Sequence, residues 1–309
     1  MLKDRFKYIV ARKFFMSLQD YKKAGRIAAE ALQFGKKLIK EDALLRDVTK
    51  KTEEFIIKQD AWLAFPAQIS LNNKAAHCYS GNESDEKFKH GDLVKLDVGV
   101  HVNGFIGDNA LSINIASDSD LELIRASKDA LREAISLMKP GVKLREIGKA
   151  VEEVIVGYGF NPIRNLSGHE VEQWNLHAGM IIPNYDNKSE AELKEGQVFA
   201  IEPFATTGDG KVNEGRLGGV YRIQELKSIR IGREVLDYIH GNYKELPFSK
   251  DWLQGNLNEF KINNGFRILE QQGIIHRYPE LVEKEGTKVS QAEHTVMVAD
   301  KPIVLTKLD

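Results

Sequence analysis

Alternating apolar and polar residues in the middle of the chain predict a β-hairpin. Residues 93–102 alternate well enough to indicate a strand, and Asn103-Gly104 follows, the pair that most strongly favours a two-residue hairpin turn. Such a turn fixes the register and sets Gly99 opposite Asp108. Because side chains alternate between the two faces of a strand, Asp97 and Asp108 then project from the same face, one diagonal step apart.

A helical pattern recurs in two related segments, which indicates two similar halves. Residues 45–56 align with residues 144–155, with six identities in twelve positions. In each half a longer helical stretch precedes the repeat, at residues 18–41 and 121–139, and strands follow. Helices packed on one face of a curved antiparallel sheet would leave the other face free. The pattern therefore predicts an α+β architecture with a pseudo-twofold relation between its halves.

Composition and charge favour a cytoplasmic enzyme. Lys and Arg number 44 against 45 Asp and Glu, so the net charge of -1 gives no reason to expect a nucleic-acid or anionic-membrane partner. The single cysteine, Cys78, excludes an internal disulfide framework and suits a reducing compartment. Without a partnered base, Cys78 is interpreted as a small packed residue. The basic and aromatic residues 1–15 lack the apolar run of a secretory signal.

Five residues form an oxygen-rich set with one imidazole, a composition suited to two divalent metal ions: Asp97, Asp108, His169, Glu202 and Glu293. Taken alone, the aspartates fit an ordinary solvated hairpin face, and His169 fits a structural role equally well. Glu202 and Glu293 each interrupt an apolar strand, at residues 198–204 and 291–298, where a carboxylate is costly unless it is paired or bound to a cation. The combination favours a site for Mn, Fe(II) or Co, to which Zn would also bind and Mg more weakly.

These motifs resemble those of type II methionine aminopeptidases, metallopeptidases of the pita-bread fold that remove the initiator methionine from new proteins. The resemblance runs from about residue 16 to the C-terminus. It implies that Asp97 binds one metal ion through both oxygens and that Asp108 and Glu293 bridge the two ions. His169 and Glu202 would complete the shell of the other ion.

The same resemblance implies roles toward the substrate. His77 and His177 match the two substrate-contacting histidines of the family, while Phe65 and Tyr278 match walls of its methionine pocket. Glu202 could accept a proton from the attacking water and pass it to the leaving amine. The expected catalytic residues are therefore His77, His177 and Glu202.

The resemblance also implies the domain limits. The family usually begins near residue 16, so residues 1–15 are expected to be an N-terminal extension. Residues 16–217 and 277–309 would form the pita-bread catalytic domain, and residues 218–276 a helical, winged-helix-like insert. Three helices are predicted in the insert, at residues 226–243, 249–252 and 259–272.

The expected partners are the N-termini of nascent polypeptides. The protein is expected to be a monomer. Helix-turn-helix content in the insert invites a nucleic-acid interpretation, but the chain has no concentrated basic stripe, so neither nucleic acid nor membrane is expected. Whether the insert contacts the ribosome stays open. Two alternatives are another pita-bread hydrolase, such as an Xaa-Pro peptidase, and a non-catalytic binding protein of this fold. The long insert with Phe65 and Tyr278 disfavours the first, and the five competent ligands disfavour the second.

Overall fold

A computed structural model describes the backbone of residues 2–308 and the side chains of residues 17–308. The side chains of the expected N-terminal extension, residues 1–15, lie outside the described residues. The α-helices are α1 Leu2–Leu38, α2 Leu45–Ile57, α3 Leu121–Ser136, α4 Leu144–Gly157, α5 Arg233–Tyr243 and α6 Glu259–Gln271, with a 3₁₀ helix at Lys250–Leu253. The strands are β1 Trp62–Leu71, β2 Lys74–Ala76, β3 Leu93–Val102, β4 Phe105–Asn114, β5 Asn161–Pro162, β6 Ser167–Glu170, β7 Ile181–Pro183, β8 Val198–Ile201, β9 Phe204–Thr206, β10 Asn213–Ile223, β11 Phe248–Ser249, β12 Ile275–Val282, β13 Val289–Gln291, β14 His294–Met297 and β15 Ile303–Val304.

The hairpin of β3 and β4 has the register that the sequence predicts. Gly99 lies opposite Asp108, and Asp97 lies opposite Ala110, so the two aspartates are diagonal neighbours. Asn103 and Gly104 both have positive φ, 53° and 86°, as a two-residue turn of the type I′ class requires. β1 pairs with the other edge of β3 and completes the sheet of the first half.

The two halves repeat the same helix arrangement, which confirms the predicted α+β architecture. The repeated segments form α2 and α4, and each packs against the longer helix that precedes it, α1 or α3. Buried apolar residues such as Leu32 and Leu96 form the core between α1, α2 and the first sheet. In the second half, Ile147 and Phe199 occupy the corresponding layer beneath α3 and α4. Both helix pairs thus cover one side of the sheets and leave the other side for a site.

Two long strands, β10 and β12, connect the insert to the rest of the molecule. β10 and β12 pair antiparallel, and the predicted limits of the insert, at residues 218 and 276, fall inside them. The helix predicted at residues 226–243 begins only at Arg233, because Gly232 precedes it with a φ of 85° that breaks the helical path. The insert has its own apolar core, which includes Phe248 and Phe266. Within the described part of the chain, no helix has the length and apolar content that a bilayer crossing demands.

Candidate metal centre

Glu202 and Glu293 lie at matched breaks between strands, and not inside continuous strands as the sequence predicts. β8 ends one residue before Glu202, and β13 ends two residues before Glu293. Because β8 pairs with β14 and β9 pairs with β13, the two breaks lie beside each other across the ladder. Pro203 contributes to one break, since proline has no N–H for a ladder hydrogen bond. The local opening of the sheet lets both carboxylates face one pocket.

The structure brings all five predicted metal ligands to that pocket. His169 Nε2 lies 3.7 Å from Asp108 Oδ2 and 3.7 Å from Glu202 Oε1. Asp108, His169 and Glu293 each offer a donor atom within 4.8 Å of the other two. Asp97, from β3, lines the same pocket. Residues from distant parts of the sequence therefore form one cluster of hard donors.

Electrostatics in the pocket favour bound cations. Burial raises the pKa of Asp97 to about 7, and burial together with the charge of Asp97 raises the pKa of Asp108 well above its usual range. Burial and neighbouring carboxylates raise the pKa values of Glu202 and Glu293 in the same way. Asp97 Oδ1 and Asp108 Oδ1 are buried without a hydrogen-bond partner among the described residues. Divalent ions would neutralise the carboxylates and occupy these oxygens, so the residues fit a metal centre.

The imidazole of His169 is in the form that binds a metal. Burial lowers the pKa of His169 to about 3, so the ring is neutral near pH 7. A neutral imidazole has a free lone pair on one nitrogen, whereas an imidazolium has none. His169 is supplied by β6, which pairs with β8 and so lies next to the break at Glu202.

Gln291 lies among the carboxylates, although sequence reasoning assigned it no role. Its Nε2 donates to Asp97 Oδ2 at 3.4 Å, to Glu202 Oε2 at 3.2 Å and to Glu293 Oε2 at 3.3 Å. An amide donor holds the three acids together without adding a charge. The available signal was its spacing from Glu293, because residues two apart in an extended chain share a face.

Hydrogen bonds between β4 and β14 join the two halves beside the acids. Asp108 N donates to Thr295 Oγ1 at 2.7 Å, and Thr295 Oγ1 donates to Asp108 O at 2.8 Å. Glu293 N donates to Ala110 O at 3.1 Å. Asp108 and Glu293 come from opposite halves of the molecule, so the centre lies at the boundary between the two halves.

His77 and His177 both line the pocket with their rings close to other site residues. The His177 ring lies beside that of His169, with centroids 4.4 Å apart. His77 follows β2 with a φ of 62°, and its N–H donates to Gln68 Oε1 at 2.6 Å. Burial lowers the pKa of His77 to about 4 and also lowers that of His177. Both rings are therefore neutral near pH 7 and have one N–H each, and that of His77 lies on Nδ1 and donates to Pro279 O at 3.3 Å.

Phe65 and Tyr278 also line this pocket. The ring of Phe65 lies directly over Gly99, where a Cβ atom would come within 2.2 Å of it. The Tyr278 ring packs edge-on against His77, with centroids 5.0 Å apart. The lining also includes four apolar residues that the sequence analysis did not assign to the site: Ala76, Leu176, Val220 and Pro247. The pocket thus combines a cluster of acids with an apolar wall.

Comparisons with known proteins identify the family of the chain. Residues 19–236 match metallopeptidase family M24. The chain is 43% identical over 288 residues to a methionine aminopeptidase of Thermococcus onnurineus, covering 92% of this chain and 97% of that one. The structure of a methionine aminopeptidase from Thermotoga maritima is similar with a TM-score of 0.69 at 25% identity, covering 95% of this chain and 97% of that one. A thermophilic Arx1 shares the fold with a TM-score of 0.82 at 16% identity, covering 94% of this chain and 91% of that one. The chain therefore belongs to metallopeptidase family M24, in the group that includes the methionine aminopeptidases.

Proposed function

We propose that this protein removes the N-terminal methionine from proteins and peptides by hydrolysis at a dinuclear divalent-metal centre. The observation that carries the proposal is one pocket that holds four carboxyl groups, the imidazole of His169 and an apolar wall. The acids supply a place for metals, and the wall supplies a place for an apolar first side chain. Similarity to the archaeal methionine aminopeptidase over nearly the whole chain supports the same activity.

Two ions, and not one, match the charge of the centre. When all four carboxyl groups of the pocket ionise they carry four negative charges, which two divalent cations would balance. Oxygen donors with one imidazole suit Co, Mn or Fe(II), and Zn would also bind. When bound, such ions lower the pKa of a water nucleophile and polarise the scissile carbonyl.

The side chains would divide the remaining chemistry. Glu202 would accept the proton of the attacking water and deliver it to the leaving amine. His177, a neutral donor, would hydrogen-bond the substrate carbonyl as negative charge develops on its oxygen. His77, whose one N–H donates to Pro279 O, would contact the substrate through Nε2 as an acceptor. Cys78 has no part in the reaction, because its thiol is buried and burial raises its pKa to about 11.

The apolar wall would select the first residue. Phe65 and Tyr278 would enclose an unbranched thioether, a side chain that adapts well to an aromatic pocket. The resemblance to type II methionine aminopeptidases implies a small second residue, so a bulky one would be disfavoured. The proposed substrates are nascent polypeptides in the cytoplasm. One chain supplies every residue of the site, which supports action as a monomer.

Metal content and peptide cleavage test the proposal together. Purified protein would be loaded with Mn or Co, its metal content measured, and methionine release followed from Met-Gly-Met. Peptides starting with Leu, Lys or Asp, and Met peptides with a bulky second residue, should be cleaved far more slowly. Glu133→Gln, which changes an exposed acid on α3, serves as a control and should behave as the original protein.

The results separate the competing functions. Equal rates for all first residues, or a requirement for proline at the second position, would indicate another pita-bread hydrolase. Full metal loading with no cleavage of any of these peptides would indicate a binding protein. One metal per chain at full activity would contradict the dinuclear centre.

A further inference from the structure

A buried carboxyl group outside the set of predicted metal ligands joins the insert to the first sheet. Glu53 of α2 is only 9% exposed, and its two oxygens accept hydrogen bonds from two different elements. Ala67 N donates to Glu53 Oε1 at 3.1 Å, and Trp252 Nε1 donates to Glu53 Oε2 at 3.0 Å. Ala67 belongs to β1, and Trp252 belongs to the 3₁₀ helix of the insert.

We propose that Glu53 is a positioning residue for the first side chain of the substrate. By holding Trp252 and Ala67 together, it sets the separation between two walls of the pocket, Phe65 from β1 and Pro247 from the insert. This inference rests on the proposed methionine aminopeptidase function.

The contact with Ala67 stabilises an irregular point in β1. Phe65 pairs with Gly99 and Gln68 pairs with Asp97, so Pro66 and Ala67 together face one residue of β3. Two residues opposite one form a β-bulge, which leaves an N–H outside the ladder and re-aims the neighbouring side chains. Glu53 accepts the Ala67 N–H. The bulge lies between Phe65, a pocket wall, and Gln68, whose side chain accepts from the N–H of His77.

The contact with Trp252 fixes the opposite wall. The 3₁₀ helix follows β11, which pairs with β10 through Val220 and Ser249, and Pro247 directly precedes β11. Trp252 packs against the apolar cores of both the insert and the α1–α2 layer. Its neighbour Asp251 accepts a second bond across the interface, from Asn82 N at 2.8 Å. A shift of this helix would therefore carry Pro247 with it.

A carboxylate suits this position because both of its partners are donors. Both oxygens of a carboxyl group can accept a hydrogen bond, whereas a glutamine amide presents NH₂, which only donates, on one side. Glu53→Gln would thus lose one of the two bonds while keeping the size of the side chain. Trp252→Phe keeps a ring but removes the indole N–H that donates to Glu53. Lys261→Met is a matched control, because it removes an exposed ion pair to Glu234 within the same insert.

Kinetics of the three variants test the proposal. With Met-Gly-Met at saturating metal, Glu53→Gln and Trp252→Phe should each raise KM about tenfold, the scale of one lost hydrogen bond, with kcat within about twofold. The double variant should be no worse than the more affected single variant, because either change alone breaks the link from Ala67 through Glu53 to Trp252. Metal content should stay unchanged, and Lys261→Met should leave KM unchanged.

Hydrogen exchange provides a readout that does not depend on catalysis. Backbone amides of residues 62–71 and 248–254 should exchange faster together in Glu53→Gln and in Trp252→Phe, but not in Lys261→Met. If the unaltered protein releases no methionine, the proposed function fails while the exchange result still decides whether Glu53 joins the two segments. Unchanged KM in both variants, additive effects in the double variant, or unchanged exchange would each overturn the proposal. Trp252→Phe, which retains most of the packing, guards against loss of the fold in Glu53→Gln.

Discussion

At the scale of single residues, the carboxyl groups that would bind metal destabilise the folded protein when no metal is bound. Asp108 and Glu293 are 3% and 2% exposed, and burial raises the pKa values of both carboxyl groups well above their usual range. An ionised carboxylate without a cation is costly in such a place. The site is therefore maintained at the expense of the stability of the metal-free protein, a trade-off common at functional sites.

Asp108→Asn should abolish peptide hydrolysis and stabilise the metal-free protein. The folded state raises the pKa of Asp108, so at pH 7 ionisation favours unfolding, and a neutral amide of similar size removes that cost. In chelator, we expect the unfolding midpoint to rise by about 2 °C or more. Added Mn or Co should stabilise the original protein and stabilise the variant much less. A calorimetric scan of each protein with and without metal checks this, and normal turnover with full metal loading would refute the assignment.

His177 and His169 should respond differently to removal, although their rings lie side by side. His177→Ala should keep its metal content and lower kcat about 10²-fold, the scale expected when one transition-state donor is lost. His169→Ala should weaken metal binding, and a high metal concentration should partly restore its activity. Metal titration by calorimetry, followed by turnover, distinguishes these roles. Equal loss of metal in both variants would show that the division of roles is wrong.

At the scale of elements, the sequence predicted regular structure better than the interruptions that form the site. The turn at Asn103-Gly104 determined the hairpin register, because a two-residue loop permits one pairing. The breaks at Glu202 and Glu293 depend on how strands from distant parts of the chain meet, and local periodicity carries no such information. The role of Gln291 was missed for the same reason, since its three acceptors lie in other segments or across a break. Gly232 shortened the predicted helix through a positive φ that a helical pattern does not reveal.

Gly99→Ala should damage the pocket through a change in one strand. The added Cβ would lie within 2.2 Å of the Phe65 ring, so the ring must leave its present position in the pocket wall. Crowding of this kind costs about 1–3 kcal/mol of unfolding free energy. We expect KM for Met-Gly-Met to rise with metal content unchanged. Gly241→Ala is the control, because its Cβ meets nothing within 4 Å and the residue lies in α5. A variant of Gly99 with normal KM would show that Phe65 does not contact the substrate.

At the scale of the whole molecule, the residues of the proposed site lie where separate structural units meet. The acids come together where β4 and β14, one strand from each half, lie side by side. Hydrogen bonds between Thr295 and Asp108 join these two strands. The apolar wall lies at a second junction, between the first sheet and the insert. The position of the apolar wall therefore depends on how the first sheet and the insert are held together, and Glu53 bonds to both of them.

The pH dependence of stability should reveal the Glu53 contact in the intact protein. Burial, which outweighs the hydrogen bonds from Trp252 and Ala67, raises the pKa of Glu53 from 4.5 to about 7. The folded state therefore holds a proton that the unfolded state releases above its own pKa of 4.5. This contribution is complete below pH 4.5 and is lost as pH rises through 7, by roughly 3 kcal/mol in total. A glutamine at this position cannot titrate, so the stability of Glu53→Gln relative to the original protein should rise between pH 5 and pH 8. Denaturant unfolding of both proteins in chelator at pH 5, 6, 7 and 8 measures this difference. The metal ligands titrate in the same way in both proteins, so their contribution cancels in the comparison. A difference that does not change with pH would mean that Glu53 is ionised throughout, held by its two donors against the cost of burial.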